Sequence, residues 1–278
     1  MRVRLWGTRG SVASPGPDTV RYGGNTACVE VRTDGALIVL DAGTGIRPLG
    51  AQLRDYSGRI DLLLSHLHLD HIQGLGFFEP CFRPDVELHI WGPASATADL
   101  GERLSRYLSP PLFPVRLRDL GSHVLLHDVP HEPFTVGDAV VRGVPVIHPG
   151  PTVGYRIEDA SGSMAYLPDH EPALGAPAFP LAPAWTSGHD LAAGVDVLLH
   201  DSQYTTAEYP ARVGWGHSST EQAWAFAAQA EVGRLVTFHH DPSHDDQELD
   251  ALVAQLQGRD GLDVIAGTEG LELTVQAR

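Results

Sequence analysis

A chain of 278 residues is long enough to bury a full core, and its formal charge of −16 with histidine neutral disfavours long nucleic acid. Affinity for a polyphosphate backbone comes largely from Lys and Arg displacing condensed counterions, and an acidic surface opposes that exchange. Cys28 and Cys81 are the only cysteines, which excludes a disulfide framework and a cysteine-based zinc site. The 15 histidines are the unusual number in the composition, and they call for a residue-by-residue account.

In chain order, Met1–Trp6 reads as a short strand without the apolar core of a signal peptide. Cys28–Arg32 and Ala36–Leu40 are strands joined by the turn Thr33-Asp34-Gly35. Ile60–Leu64 is a continuous apolar run, as expected of a strand buried on both faces, and Glu87–Trp91 is another strand. Ala94–Leu108 has helical spacing and stops before Pro110-Pro111. Strands follow at Val124–His127, Pro133–Val136, Ala139–Ile147, Val153–Ile157 and Met164–Leu167. Residues 172–194, rich in Pro, Ala and Gly, are expected to form a long surface loop. Val195–Leu199, Leu235–Phe238 and Leu271–Val275 read as strands, Ser218–Ala230 and Asp245–Leu256 as helices. No repeat and no linker divides residues 1–278, so a single domain of two packed sheets with helices outside is expected. No run reaches the roughly 18 apolar residues of a membrane span, and a cytoplasmic location follows as the default.

The chemistry concentrates in His66-Leu67-His68-Leu69-Asp70-His71, the turn that leaves the apolar strand. His66 and His68 lie two apart, so extended backbone points both rings the same way and lets them share one borderline metal. Asp70 and His71 fall where the chain curls into a helix and can serve a second ion. Four such groups in six residues would be costly to crowd together without metal.

This stretch resembles the metallo-β-lactamase superfamily, whose hallmark is His-x-His-x-Asp-His after a buried strand, and the resemblance extends over most of the chain. It implies an αββα sandwich of two mixed sheets, and a dinuclear centre of zinc, with manganese or iron as alternatives. Asp41 in Leu40-Asp41-Ala42-Gly43 resembles an early Asp-x-Gly that supports the metal loops without ligating. His148, Asp169 and His239 each end an apolar run and match the remaining ligand positions. The resemblance then places His66, His68 and His148 on one metal and Asp70, His71 and His239 on the other, with Asp169 between. His240 is the alternative to His239, because strand alternation sends the two opposite ways.

A narrower resemblance is to ribonuclease Z-like and cyclic phosphodiesterases. Gly216-His217-Ser218 matches their Gly-His-Ser element, whose histidine assists the leaving oxygen, and Leu198-Leu199-His200-Asp201 resembles their His-Glu segment with Asp in place of Glu. The glycine-bearing stretches Gly7–Ser11 and Tyr22–Thr26 make Arg9 and Asn25 weaker candidates for lining the site, and His170 beside Asp169 is a third. His89, His123, His127, His131 and His189 read as ordinary strand or surface residues, and His244 as part of a helix start.

Together these imply a hydrolase in which a metal-bridging hydroxide attacks, Asp70 aligns it and His217 protonates the leaving group. The expected substrate is a small phosphodiester, a cyclic nucleotide among the possibilities, with a homodimer a common state of the branch. The alternatives are a tRNA 3′-end endonuclease, and a hydrolase of a carboxyl ester, thioester or lactam. Residues 172–194 contain no Lys or Arg with which to grip tRNA, and His217 counts against carboxyl chemistry. A non-catalytic sensor would be expected to lack some ligands, yet every position is filled.

Overall fold

The computed structural model describes residues 1–174, 176, 179–180 and 182–278. The first half supplies β1 (Arg2–Gly7), β2 (Cys28–Arg32), β3 (Leu37–Leu40), α1 (Ile46–Gln52), β4 (Gly58–Leu63), α2 (Leu69–Ile72), β5 (Val86–Gly92), α3 (Leu100–Ser105) and β6 (His123–Asp128). The second supplies β7 (Phe134–Val136), β8 (Ala139–Pro145), β9 (Val153–Asp159), β10 (Gly162–Leu167), α4 (His189–Ala192) and β11 (Val197–Asp201). It continues with α5 (Thr220–Gln229), β12 (Arg234–Phe238), α6 (Asp246–Leu256), β13 (Asp263–Ala266) and β14 (Glu272–Thr274).

These strands form two seven-stranded sheets, ordered β14-β1-β2-β3-β4-β5-β6 and β13-β12-β11-β10-β9-β8-β7. Alternation along each strand sorts its side chains between two cores. Ile38 and Leu40 of β3 meet Tyr155, Met164, Tyr166 and Phe238 of the opposite sheet in the central layer. Leu37 and Val39 point outward, under Ile46 and Leu49 of α1 and Leu104 of α3. On the far side, Leu198 and Leu235 pack against Ala223, Phe226 and Ala227 of α5. The layers are therefore helix, sheet, sheet, helix, the metallo-β-lactamase-like αββα sandwich that the sequence resemblance implies.

Sheet direction explains where the site must lie. β3 runs parallel to β4, and β10, β11 and β12 are mutually parallel. β8 is antiparallel to β9 and β9 to β10, so β8 ends on the same rim as β10. The residues that follow these six strands thus converge at one edge of the sandwich. Two hydroxyls cross between the sheets just below that edge: Tyr155 donates to the Leu64 carbonyl (2.7 Å) and Tyr166 to Asp41 (2.9 Å).

Several expected elements differ. The helix expected over Ala94–Leu108 is confined to Leu100–Ser105, where the side chain of Asp99 caps the Glu102 N–H. α1 and β13 had no clear signal: Pro48 sits in the first turn of α1, and β13 is only four residues long. The stretch 172–194 is not wholly loop, since α4 closes it; Gly175, Pro177, Ala178 and Leu181 lie outside the described residues. The N-cap of α6 is Asp245, which accepts from Gln247 and Glu248, rather than His244, whose ring pairs with Glu208. Among the described residues no helix is long and apolar enough to cross a membrane.

Close backbone packing supports the rim from below. Ala42 donates to the His71 carbonyl (2.7 Å) and Gly74 to the Ala42 carbonyl (2.9 Å), so the turn after β3 and the end of α2 are joined main chain to main chain. A Cβ on Gly74 would stand 2.1 Å from the Gly43 carbonyl oxygen, and no side-chain movement can relieve that overlap. Gly74→Ala is therefore expected to cost about 1–3 kcal/mol, the range for overpacking. Urea unfolding of the metal-free protein checks this, and a loss below about 0.5 kcal/mol, typical of an indifferent surface site, would contradict it.

Candidate metal centre

Four of the histidines at the rim are oriented by their second ring nitrogen. Asp41 follows β3 in a left-handed conformation (φ 59°), which turns its carboxylate beneath the neighbouring loop. One oxygen accepts the Ser65 N–H (2.7 Å); the other accepts the Ser65 hydroxyl (2.8 Å), His71 Nδ1–H (2.8 Å) and the Tyr166 hydroxyl. With its proton given to Asp41, the Ser65 oxygen accepts from His66 Nδ1 (3.0 Å). His148 Nδ1 donates to the Gly216 carbonyl (2.8 Å), and His239 Nδ1 to Gln203 Oε1 (3.0 Å). Each of these four rings therefore presents Nε2 to the centre, as ligating imidazoles do.

Three groups of inward atoms lie close enough to hold an ion: His66, His68, His148 and Asp169; Asp70, His71 and His239; and Asp169, His217 and His239. Asp169 spans the first two. Its Oδ2 stands 3.6 Å from both His66 Nε2 and His148 Nε2, while Oδ1 stands 2.9 Å from His71 Nε2 and 3.2 Å from His239 Nε2. All of these residues are buried except His68, which sits at the mouth.

The donor set fits a pair of cations. His66 Nε2 and Asp169 Oδ1 are buried without a hydrogen-bond partner. His71 Nε2 faces His239 Nε2 at 3.3 Å, and His148 Nε2 faces His68 Nδ1 at 3.1 Å. Opposed lone pairs at such distances repel unless a proton or a metal lies between them. Burial opposes a charge on His71, yet Asp169, Asp70 and Asp41 outweigh it and hold the ring well above the ordinary histidine range. Burial and the neighbouring His71 push His66 well below that range. Burial works to raise the Asp70 carboxyl, but His71 and His239 overcome it and keep Asp70 ionised. Imidazole and carboxylate donors of this kind suit borderline divalent metals.

His239, not His240, faces the centre. β12 ends at Phe238 and His239 is left-handed (φ 58°), so strand alternation no longer decides which ring points inward. His240 turns away to donate to the Gly267 carbonyl (2.8 Å) and packs edge-on against Tyr22.

His217 lies beside the cluster, stacked on His239 with ring centroids 5.0 Å apart. Its Nδ1 donates to Asp201 Oδ2 at 2.7 Å. Asp201 is fully buried and also accepts the N–H groups of His170, Gln203 and Ser218. Burial opposes protonation of His217, but the Asp201 carboxylate prevails and raises the ring to about 9.

The weaker candidates occupy other places. His170 is fully buried and turned toward His200 (2.9 Å) and Phe226, away from the cluster. Its backbone N–H donates to Asp201 Oδ2 (3.2 Å). Burial lowers His200 to about 4, and its Nδ1 is spent on the Asp201 carbonyl. Arg9 does not line the site: its buried guanidinium donates to the carbonyls of Gly23, Asp241 and His244. Asn25 is tied to Glu269. The glycine-bearing loop nevertheless meets an anion, since the Ser11 N–H donates to Asp70 Oδ2 (2.8 Å). Ser65, Gln203 and Glu171 escaped the sequence reading. Ser65 adjoins the histidine motif and could have been suspected, whereas nothing in spacing singles out the other two.

The beta-lactamase superfamily domain matches residues 37–240. Ribonuclease Z of Mycobacterium avium is 31% identical over 273 residues, covering 87% of each chain. In structure, a diphosphatase of the PhnP family superposes with TM-score 0.71 at 20% identity, covering 100% of this chain and 99% of the other. The short form of human tRNase Z superposes with TM-score 0.69 at 20% identity, covering 99% of each. With its αββα sandwich and its histidine–aspartate rim, the chain belongs to the β-lactamase superfamily and is a metal-dependent hydrolase of the metallo-β-lactamase fold.

Proposed function

We propose that the chain is a dinuclear metal-dependent phosphodiesterase acting on a small phosphodiester. The observation that carries this reading is the His217–Asp201 pair beside the ligand cluster: an imidazole stacked on His239 whose Nδ1–H is taken by a buried carboxylate, the arrangement suited to a proton donor for a leaving oxygen. Two divalent cations, held by His66, His68 and His148 and by Asp70, His71 and His239 with Asp169 between, would supply charge neutralisation and a water of lowered pKa. Zinc suits this donor set best, and manganese or iron are compatible with it.

The remaining work falls to the chain. Asp70 is kept ionised and fixed by the Ser11 N–H, so it can orient the attacking water and accept its proton. Asp201 fixes the His217 tautomer by taking Nδ1–H, which leaves Nε2–H to protonate the departing alkoxide. Transfer of that proton is charge-matched, because the ring begins as an imidazolium beside a buried carboxylate and ends neutral.

A second reading is an endonuclease on tRNA 3′ ends, favoured by the 31% identity to a ribonuclease Z across most of both chains. Against it stand the net charge of −16 and the absence of Lys and Arg from 172–194. Turnover of the metal-loaded protein on cyclic nucleotides, model diesters and a tRNA precursor separates the two.

On bis(p-nitrophenyl) phosphate, Asp70→Ala and His217→Ala are each expected to lower kcat by at least about 100-fold, as removal of a positioned acid or base does. Wild-type turnover by both variants with metal bound would overturn the mechanism. Asp201→Asn gives a separate check on sign. A general acid works while protonated, so activity falls as pH rises through the His217 pKa. Loss of the carboxylate lowers that pKa, and the alkaline limb of the kcat profile is expected about 1–3 units lower. An unmoved limb would remove His217 from the role.

A further inference from the structure

The loop between β11 and α5 holds a second constellation, which the metal centre does not use. Glu171 is fully buried and its carboxylate is spent on this loop: it accepts the Tyr209 hydroxyl (2.7 Å), the Gly214 N–H (3.0 Å) and the Gly216 N–H (2.9 Å). Gly216 is left-handed (φ 88°), and a Cβ there would strike His148 Nδ1 at 2.4 Å, so the loop is seated on a ligand ring. Trp215, between two glycines so anchored, keeps 59% of its surface exposed. Its exposure is therefore imposed by a pinned backbone.

Arg212 stands beside it. The guanidinium carbon lies 5.2 Å from the Trp215 ring centroid and 5.0 Å from that of Tyr204. Two aromatic faces thus orient this cation, and Tyr204 in turn meets His217 edge-on at 5.9 Å. Among the described residues Arg212 forms no ion pair, although Asp and Glu outnumber Lys and Arg by 35 to 19. A guanidinium held by rings rather than by carboxylates keeps its donors available for an anion. An exposed indole within reach of it offers a stacking face for a flat aromatic group.

We propose that Arg212 and Trp215 form the substrate-recognition subsite, and that the group they take is the nucleoside end of a nucleotide phosphodiester. The base stacks on Trp215, and Arg212 holds an anionic oxygen of the same nucleotide. This deepens the phosphodiesterase reading and rests on it for the position of the scissile phosphate. Glu171 serves as the positioning residue, because it seats the loop without touching substrate.

Two diesters with one leaving group test the idea: thymidine 5′-(p-nitrophenyl phosphate) and methyl p-nitrophenyl phosphate. The wild type is expected to prefer the nucleotidyl diester in kcat/KM. That preference should fall about tenfold in Trp215→Ala and in Arg212→Ala, within what loss of one base–aromatic stack costs, and survive in Trp215→Phe. No preference in the wild type, or the same preference in both alanine variants, would overturn the subsite. Hydrolysis of neither diester would defeat the phosphodiesterase reading itself. Calorimetric binding of thymidine 5′-monophosphate then decides the subsite alone. A Kd weakened about tenfold in both alanine variants supports it, and unchanged or undetectable binding refutes it.

Discussion

The carboxylate of Asp41 is the constraint on which the rim depends. It is fully buried, it has no Lys or Arg partner among the described residues, and it accepts from four neutral or imidazole donors. Through Ser65 it sets the ring of His66, and directly it sets the ring of His71, one histidine from each proposed metal position. Through Tyr166 it is bonded to the opposite sheet. A left-handed aspartate costs of the order of 1–3 kcal/mol, whereas each hydrogen bond to a charged group returns about 1.5–3, so the strained turn is sustainable where the bonds are complete.

The same logic recurs around the rim in looser form. His148 is oriented by a backbone carbonyl of the β11–α5 loop, and His239 by Gln203 just beyond β11. Asp201, at the end of β11, gathers His217 together with the N–H groups that shape both flanking loops. The donors to the proposed metals are thus held by loops from both sheets, and an ion bound there would tie the two halves of the sandwich together. Because such ligands must be deprotonated and converge only in the folded chain, metal affinity and stability are coupled, and both fall with acid. Glu171 extends the network outward, from the proposed ligand His148 to the exposed Trp215.

Much of this was legible in the sequence, for reasons that differ by residue. Apolar runs broken by turn residues marked β2, β3 and β10 as strands, and the apolar run before Ser65 announced a strand with both faces covered. The spacing of His66 to His71 placed four candidate ligands at a strand end without any knowledge of the partner strands. The choice of His239 over His240 was harder, since the left-handed turn after Phe238 breaks the period on which alternation relies. Arg9 was misjudged as lining the site because a cation in a glycine-bearing loop looks available, whereas three backbone carbonyls enclose it. The supporting partners were the least visible. Tyr166 reaches Asp41 across 125 residues, Gly214 reaches Glu171 across 43 and Gln203 reaches His239 across 36, and no local pattern encodes such pairings.

The most direct test of the central claim is competitive chelator titration of Asp41→Asn against the wild type, with two bound ions per chain as the reference state. An amide cannot accept from Ser65, His71 and Tyr166 together, so the rings of His66 and His71 lose their fixed tautomers. Both binding steps are expected to weaken by about 10–100-fold, the usual effect of losing a group that orients a ligand. Two undiminished sites in a folded variant would contradict the account.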